Sequence, residues 1–112
     1  MLFVNYPKCS TCKKARKFLE EKGVTFENRD IKEQNPTVEE LKEWIAKSGL
    51  LAKKFFNTSG MLYRQMELKD KLPNMSEQEM IELLATDGML VKRPILVSED
   101  KVLVGFRQAE WE

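Results

Sequence analysis

The stretch that decides the fold is LFVNYPKCSTC, residues 2–12 of the 112-residue chain. Leu2–Tyr6 is apolar and rich in β-prone residues, so it predicts a first strand, which ends at Pro7. A helix is then expected over Ser10–Lys22, since an apolar stripe recurs there at helical spacing and Gly23 follows as a stop signal. The stretch therefore predicts a strand-to-helix junction that carries a CxxC pattern.

The CxxC pattern consists of Cys9 and Cys12, at the predicted first turn of the helix. Free backbone N–H groups and the helix dipole stabilise negative charge there, so we expect a lowered pKa for the Cys9 thiol. Cys12 lies about one turn further along on the same face, which brings the two sulfurs within reach of a disulfide. The pattern predicts Cys9 as attacking nucleophile and Cys12 as resolving thiol; the alternative is a pair of buried cysteines that pack as small apolar residues.

Basic residues flank the CxxC pattern on both sides. Some of these cations are expected to stabilise a Cys9 thiolate, while most of them spread around the helix and form a solvated face. The residues are Lys8, Lys13, Lys14, Arg16 and Lys17.

Composition excludes several other classes of protein. The chain has no histidine, which rules out a cysteine–histidine nucleophile, a serine–histidine–aspartate triad and a zinc site of two cysteines and two histidines. Two cysteines make half of a four-cysteine zinc site, so a structural zinc would need a second chain, and no metal is expected. The net charge of +1 and the lack of a recognition motif argue against direct DNA binding.

The location of the protein is expected to be cytoplasmic. The sequence has no apolar run long enough to span a membrane, and its N-terminus lacks the pattern of a signal peptide. Thiols are kept reduced in the cytoplasm, so a CxxC pattern there is typical of a catalytic or redox-sensing site.

The rest of the chain predicts a mixed sheet in one α/β domain spanning residues 1–112. Val24–Arg29 is expected to be the second strand, parallel to the first across the helix. Pro94–Ser98 and Val102–Val104 are expected to form an antiparallel hairpin, joined by a tight turn at Glu99–Lys101.

The middle of the chain predicts several helices. Thr37 with Glu40, and Ser76 with Glu79, each form a capping-box pattern at the start of a helix. The expected helices run from Thr37 to a stop at Gly49, then over Leu50–Phe56, Met61–Leu68 and Ser76–Ala85, and finally over Arg107–Glu112, with Trp111 packed against the body.

Four stretches, in this order, carry a resemblance that covers essentially the whole chain: YPKCSTCKKA at residues 6–15, GMLYR at 60–64, KRPI at 92–95 and VGFR at 104–107. Together they resemble the ArsC/Spx family of glutaredoxin-linked arsenate reductases and Spx-type redox-responsive transcriptional regulators. The resemblance implies the ArsC-like form of the thioredoxin-like (glutaredoxin-like) α/β fold, a four-stranded mixed sheet with a helical insertion between the second strand and the final hairpin. It also implies a cis-proline at Pro94, facing the CxxC pattern.

The resemblance further implies roles for individual residues. In the arsenate reductases a cysteine at the position of Cys9 attacks arsenate, and three arginines bind the oxyanion. The matching positions are Arg64, Arg93 and Arg107, whose guanidinium forks suit a tetrahedral oxyanion, with surface ion pairs as the alternative role. The glutaredoxin-linked reductases generally lack a cysteine at the position of Cys12, whereas the Spx-type members have one.

We therefore expect a thiol–disulfide oxidoreductase of the arsenate reductase-like type that uses the Cys9–Cys12 pair. No tightly bound cofactor is expected, and glutathione, glutaredoxin or thioredoxin would be the electron donor. The alternative is an Spx-like regulator that binds the C-terminal domain of the RNA polymerase α subunit, in which case Gly49 falls about where the regulators have a contact glycine. In both cases the protein is expected to be a monomer whose partners are small thiols or redox proteins.

Overall fold

The sheet has four strands in the spatial order β2-β1-β3-β4, in a computed structural model that describes residues 1–111. β1 is parallel to β2 and antiparallel to β3, and β3 is antiparallel to β4. The predicted mixed sheet and the predicted final hairpin are thus confirmed. The strands are β1 (Leu2–Asn5), β2 (Glu27–Asp30), β3 (Ile95–Val97) and β4 (Val102–Val104).

The second strand begins at Glu27, later than the predicted start at Val24. Leu2, the first residue of β1, already pairs with Glu27, so the residues before Glu27 have no partner along β1. Val24 and Phe26 pack instead against the apolar cluster that contains Phe3. Their β-branched and aromatic character therefore reflects burial beside the sheet rather than membership of it.

The first helix, α1 (Ser10–Glu21), follows β1 as predicted and returns the chain to the parallel strand β2. Its buried residues Cys12, Ala15 and Leu19 recur at helical spacing and face the sheet. The C-terminal helix α6 (Gln108–Trp111) packs on the same side, where Trp111 makes edge-on contacts with Phe3. The predicted end of that helix at Glu112 lies outside the described residues.

The opposite side of the sheet is covered by the helical insertion between β2 and β3. Both predicted capping boxes are present. The side chains of Thr37 and Ser76 accept hydrogen bonds from the backbone N–H groups of Glu40 and Glu79, and each glutamate side chain accepts a hydrogen bond from the backbone N–H of its capping residue. The insertion contains α2 (Val38–Ser48), α3 (Met61–Gln65), α4 (Leu68–Lys71) and α5 (Glu77–Leu84), with 3₁₀ turns at Ala52–Phe55, Leu72–Asn74 and Gly88–Leu90.

Two segments of the insertion differ from the sequence-based expectation. The helix expected over Met61–Leu68 is two short helices, because Glu67 adopts a left-handed conformation with φ of 54°. The break changes the direction of the chain, and Leu68, the next residue, is buried in the core. The helix expected over Leu50–Phe56 is a single 3₁₀ turn, Ala52–Phe55, whose two end residues are fully buried.

Alternation along the central strands divides the core between the two faces of the sheet. Val4 and Ile95 pack with the insertion, while their neighbours Phe3 and Leu96 pack with α1 and α6. This period of two is what a sheet covered on both faces requires. Within residues 1–111, no helix is both long and apolar enough to cross a membrane.

Candidate functional site

Cys9 occupies the N-cap position of α1. Its backbone is extended, with φ of −87° and ψ of 124°, and its side chain makes no capping hydrogen bond to the helix. The backbone is held from both sides, since the Cys9 N–H donates to the carbonyl of Tyr6 at 3.0 Å and the Lys13 N–H donates to the carbonyl of Cys9 at 3.1 Å. These two hydrogen bonds fix the backbone of the half-buried Cys9 at the start of the first turn.

The pKa of the Cys9 thiol lies below its ordinary value. Burial opposes ionisation, but it is outweighed by the nearby backbone N–H and thiol of Cys12 and the backbone N–H of Thr11, together with the positive charge of Arg93. Free N–H groups in the first turn of a helix are the donors expected to stabilise a thiolate. The direction agrees with the sequence-based expectation for Cys9.

Cys12 is the inner of the two thiols and is 1% exposed. Burial raises the pKa of Cys12 to about 12, and the negative charge of Cys9 acts in the same direction, while the Tyr6 N–H, 3.5 Å from the Cys12 sulfur, partly offsets both. A thiol so shielded stays protonated at neutral pH. The pair thus consists of an accessible thiol that favours ionisation and a buried neighbouring thiol that stays protonated.

The segment before β3 approaches the thiols from the neighbouring strand. The Arg93–Pro94 peptide bond is cis, as the resemblance implied. The Arg93 guanidinium stacks over the ring of Tyr6, with 5.1 Å between the guanidinium carbon and the ring centroid. Two of its nitrogens, Nε and Nη1, are shielded from solvent and have no hydrogen-bond partner among residues 1–111.

A cavity of about 410 Å³ opens beside Cys9, and we call it the thiol cavity. Arg93 and Arg107, two of the arginines expected to bind an oxyanion, line it together with Cys9. The remaining lining residues are Thr11, Asn57, Ser59, Gly60, Lys92, Val104, Gly105 and Phe106.

Arg64, the third arginine expected in the site, is not among the residues that line the thiol cavity. It is exposed on α3, one helical turn after Gly60, whose carbonyl accepts a hydrogen bond from the Arg64 N–H at 3.4 Å. The structure thus brings Cys9, Cys12, Arg93 and Arg107 together and leaves Arg64 outside that group. A role for Arg64 in oxyanion binding stays a prediction.

The loop formed by residues 57–60 contributes to the thiol cavity, although the sequence marked it only as a turn. An isolated β-bridge joins Phe56 to Val91, and the Asn57 N–H donates to the carbonyl of Leu90 at 2.8 Å. The Lys92 N–H donates to the carbonyl of Phe55 at 2.7 Å, which closes the same junction. This pairing holds the loop beside the segment that carries Arg93, and a single bridge of this kind leaves no periodic pattern in a sequence.

Gly105 closes the other side of the thiol cavity. Its φ of +76° lies in the left-handed region, and a Cβ placed there would lie 3.0 Å from Cε of Lys92. A side chain at this position would therefore strain the backbone and push the Lys92 side chain away from the cavity.

The fold and the site define a thioredoxin-like α/β protein with a CxxC thiol pair at the start of its first helix and a cis-proline facing it. The ArsC family model matches residues 4–112, and the chain belongs to the ArsC family.

Three known proteins show the extent of the similarity. The crystal structure of an ArsC family related protein from Bacteroides fragilis superimposes with a TM-score of 0.97 at 59% identity, covering 98% of this chain and 92% of that one. A possible arsenate reductase from Streptococcus mutans UA159 superimposes with a TM-score of 0.88 at 47% identity, covering 96% and 91%. The global transcriptional regulator Spx of Enterococcus faecalis is 30% identical over 105 residues, which are 93% of this chain and 77% of the regulator.

Proposed function

We propose that the chain is a thiol–disulfide oxidoreductase in which Cys9 is the nucleophile and Cys12 the resolving thiol. The observation that carries the proposal is the position of Cys9 in a cavity lined by Arg93 and Arg107, with Cys12 buried directly behind it. The lowered pKa of Cys9 favours the thiolate, which is the attacking species in thiol–disulfide exchange.

The first step forms a mixed disulfide. The Cys9 thiolate attacks one sulfur of a substrate disulfide, a bond forms between the two sulfurs, and the other substrate sulfur leaves as a thiolate. The negative charge of Cys9 disappears in this step. Burial still raises the pKa of Cys12, but the charge that also raised it is gone, so the proton on Cys12 is easier to remove.

The second step releases the substrate. The leaving thiolate takes the proton of Cys12, the Cys12 sulfur attacks Cys9, and the substrate's second sulfur departs as the Cys9–Cys12 disulfide forms. The substrate gains two electrons, and the disulfide must then be reduced by a thiol donor, for which glutathione, glutaredoxin and thioredoxin are the candidates.

Arsenate is a second candidate substrate, and the two arginines of the thiol cavity favour it because it is an oxyanion. An anion beside a Cys9 thiolate is repelled unless cations neutralise it, and Arg93 and Arg107 line the same cavity. The unpartnered Nε and Nη1 of Arg93 support this assignment, because buried charged donors without acceptors are costly and an oxyanion supplies acceptors in matching geometry.

Turnover assays test the proposal. Purified protein is given 2-hydroxyethyl disulfide with glutathione and glutathione reductase, or arsenate with either glutathione, glutaredoxin and glutathione reductase or thioredoxin and thioredoxin reductase, and NADPH consumption is followed against a blank without the protein. We expect turnover in at least one arm and its loss in Cys9→Ser. A chain that turns over none of these substrates with any of the donors is not an oxidoreductase of this class.

A second candidate is a redox-responsive regulator that binds the RNA polymerase α subunit, favoured by the similarity to Spx. Gly49 adds little to this candidate, since its φ of +73° at the end of α2 accounts for a glycine there without any contact. A pull-down with the C-terminal domain of the α subunit, using reduced and oxidised chain, tests it. Retention in one redox state only is the expected result, and no retention in either state removes this candidate.

A further inference from the structure

A second cavity, of about 660 Å³, lies on the helical insertion and is larger than the thiol cavity. We call it the lysine groove, since four of its lining residues are lysines. They are Lys53, Lys54, Lys69 and Lys92, and all four are exposed. Lys92 also lines the thiol cavity, so the two cavities adjoin each other at this residue.

The charge of the lysine groove is unbalanced. Across residues 1–111, none of the four lysines forms an ion pair; the ion pairs present there lie on α1, on α2 and between β2 and α2. Glu77 is the acidic residue that lines the groove, and both of its carboxylate oxygens accept hydrogen bonds from the Ala52 N–H, at 3.3 and 3.1 Å. The groove thus presents a cluster of like charges that a negatively charged partner would neutralise.

The lining of the lysine groove is also apolar. Phe56 and Tyr63 lie with their ring centroids 6.5 Å apart, and Leu72 and Met80 line the groove as well. Leu51 is 58% exposed beside them. An exposed leucine next to a recess lined by aromatic and aliphatic side chains is typical of a surface that buries an apolar side chain of a partner.

The distribution of the lysines favours one class of occupant. They come from separate parts of the insertion and from the segment before β3, and they share the groove with its apolar lining. A small inorganic anion would leave that apolar lining uncovered, whereas a peptide with several carboxylates and a bulky apolar side chain matches both the cations and the apolar lining.

We propose that the lysine groove is a docking surface for an acidic segment of a partner protein that places a bulky apolar side chain against Phe56 and Tyr63. The shared residue Lys92 sets the docked segment next to the thiol cavity. The inference goes beyond the proposed oxidoreductase activity and does not depend on it, because docking requires no thiol chemistry.

Fluorescence anisotropy tests the docking with a labelled probe peptide in which glutamate alternates with leucine and phenylalanine. Both thiols are replaced by serine in the chain that is tested, so that the readout is independent of redox activity. We expect saturable binding that weakens as salt is raised, because exposed charges are screened. The same peptide with glutamine in place of glutamate is expected to bind at least about tenfold more weakly.

Two matched pairs of variants locate the site. The double variant Lys53→Glu, Lys69→Glu is expected to weaken peptide binding at least about tenfold, while the double variant Lys32→Glu, Lys42→Glu, at two exposed lysines outside both cavities, leaves it unchanged. Leu51→Ala is expected to weaken binding by about three- to tenfold, while its exposed neighbour Leu50, which does not line the groove, tolerates the same change. All of these side chains are exposed, so the fold is expected to be retained, and thermal unfolding of each variant confirms it.

Three outcomes would overturn the proposal. Equal binding of the glutamine peptide would remove the charge argument, and equal weakening by Lys32→Glu, Lys42→Glu would show non-specific attraction to a basic surface. Sedimentation that shows a dimer dissociated by Lys53→Glu, Lys69→Glu would mean that a second copy of the chain covers the groove. Absence of saturable peptide binding, together with saturable binding of laurate in calorimetry, would assign the groove to a small amphiphile instead.

Discussion

The thiol cavity and the lysine groove adjoin at Lys92, yet they differ in every property that decides function. The thiol cavity contains a reactive sulfur and two arginines, one of which stacks on Tyr6. The lysine groove is larger, has no cysteine among its lining residues, and combines lysines with an apolar floor.

The difference separates chemistry from recognition. Guanidinium groups are planar and rigid, so they can hold an oxyanion in one orientation, whereas lysine side chains are flexible point charges. A fixed orientation is needed where bonds are made and broken, while flexible cations suffice where a partner is only attracted and held. Under the two proposals, the reaction takes place in the thiol cavity and docking takes place in the lysine groove.

The largest effect is expected from Cys9→Ser. A serine hydroxyl is not ionised at neutral pH, so turnover of 2-hydroxyethyl disulfide should fall by at least about a thousandfold, while peptide docking in the lysine groove stays unchanged. Cys12→Ser is the matched control: it should still form a mixed disulfide through Cys9, detectable by mass spectrometry. Residual turnover in Cys9→Ser equal to that of the unchanged chain would place the reaction elsewhere.

A smaller effect is expected from Arg93→Lys, which keeps the positive charge and removes the planar pair of guanidinium N–H donors. Loss of the bidentate geometry should lower kcat/KM for an oxyanion substrate by about 10- to 100-fold while changing disulfide turnover little. Arg64→Lys is the control, since Arg64 does not line the thiol cavity, and it should change the same kcat/KM by less. Equal losses in the two variants would show that the described cavity is not the whole oxyanion site.

Gly105→Ala is expected to disturb both stability and the junction between the cavities. Left-handed backbone costs an alanine about 1–2 kcal/mol, which corresponds to a melting temperature lower by roughly 5–10 °C. Gly23→Ala is the matched control, since Gly23 has φ of +72° but a Cβ there would meet nothing within 4 Å. Both variants should lose stability, and only Gly105→Ala should also alter peptide affinity, because its Cβ displaces Lys92. Equal peptide affinity in the two variants would separate Gly105 from the docking surface.

The smallest effect is expected from Lys92→Gln, the residue that the two cavities share. Removing one exposed cation should weaken peptide docking and raise KM for an oxyanion by about two- to fivefold each, with kcat unchanged. Steady-state kinetics and anisotropy on the same preparation measure both. A change in only one of them would mean that the cavities are functionally separate.

Much of the architecture could be predicted from sequence because local signals and long-range packing agree. The strand and helix around Cys9, both capping boxes and the final hairpin each had a periodic or capping signature. The exceptions depend on tertiary contacts: β2 starts at Glu27 because of its register with β1, and Glu67 breaks a helical pattern so that Leu68 can be buried. No local pattern in the sequence encodes such constraints.

The site was predicted only in part, for the same reason. Cys9 and Cys12 stand in one motif, and Arg93 and Arg107 were found through resemblance. The contribution of residues 57–60 depends on an isolated bridge between Phe56 and Val91, which is invisible in sequence. The lysine groove was missed because its cations come from three separate stretches of the chain, and each stretch alone is typical of a solvated surface.

The rate of alkylation of each thiol as a function of pH tests the central claim most directly. Iodoacetamide labelling of the folded chain is quantified by mass spectrometry at Cys9 and Cys12 separately, from acidic to alkaline pH. We expect Cys9 to react first, with a midpoint below the ordinary thiol value of 9.0, because the nearby N–H groups of the first turn of α1, the Cys12 thiol and the charge of Arg93 together outweigh burial and lower its pKa. Cys12 should stay unlabelled through pH 9, because burial raises its pKa to about 12. Faster labelling of Cys12, or a Cys9 midpoint at or above 9.0, would contradict the assignment of nucleophile and resolving thiol.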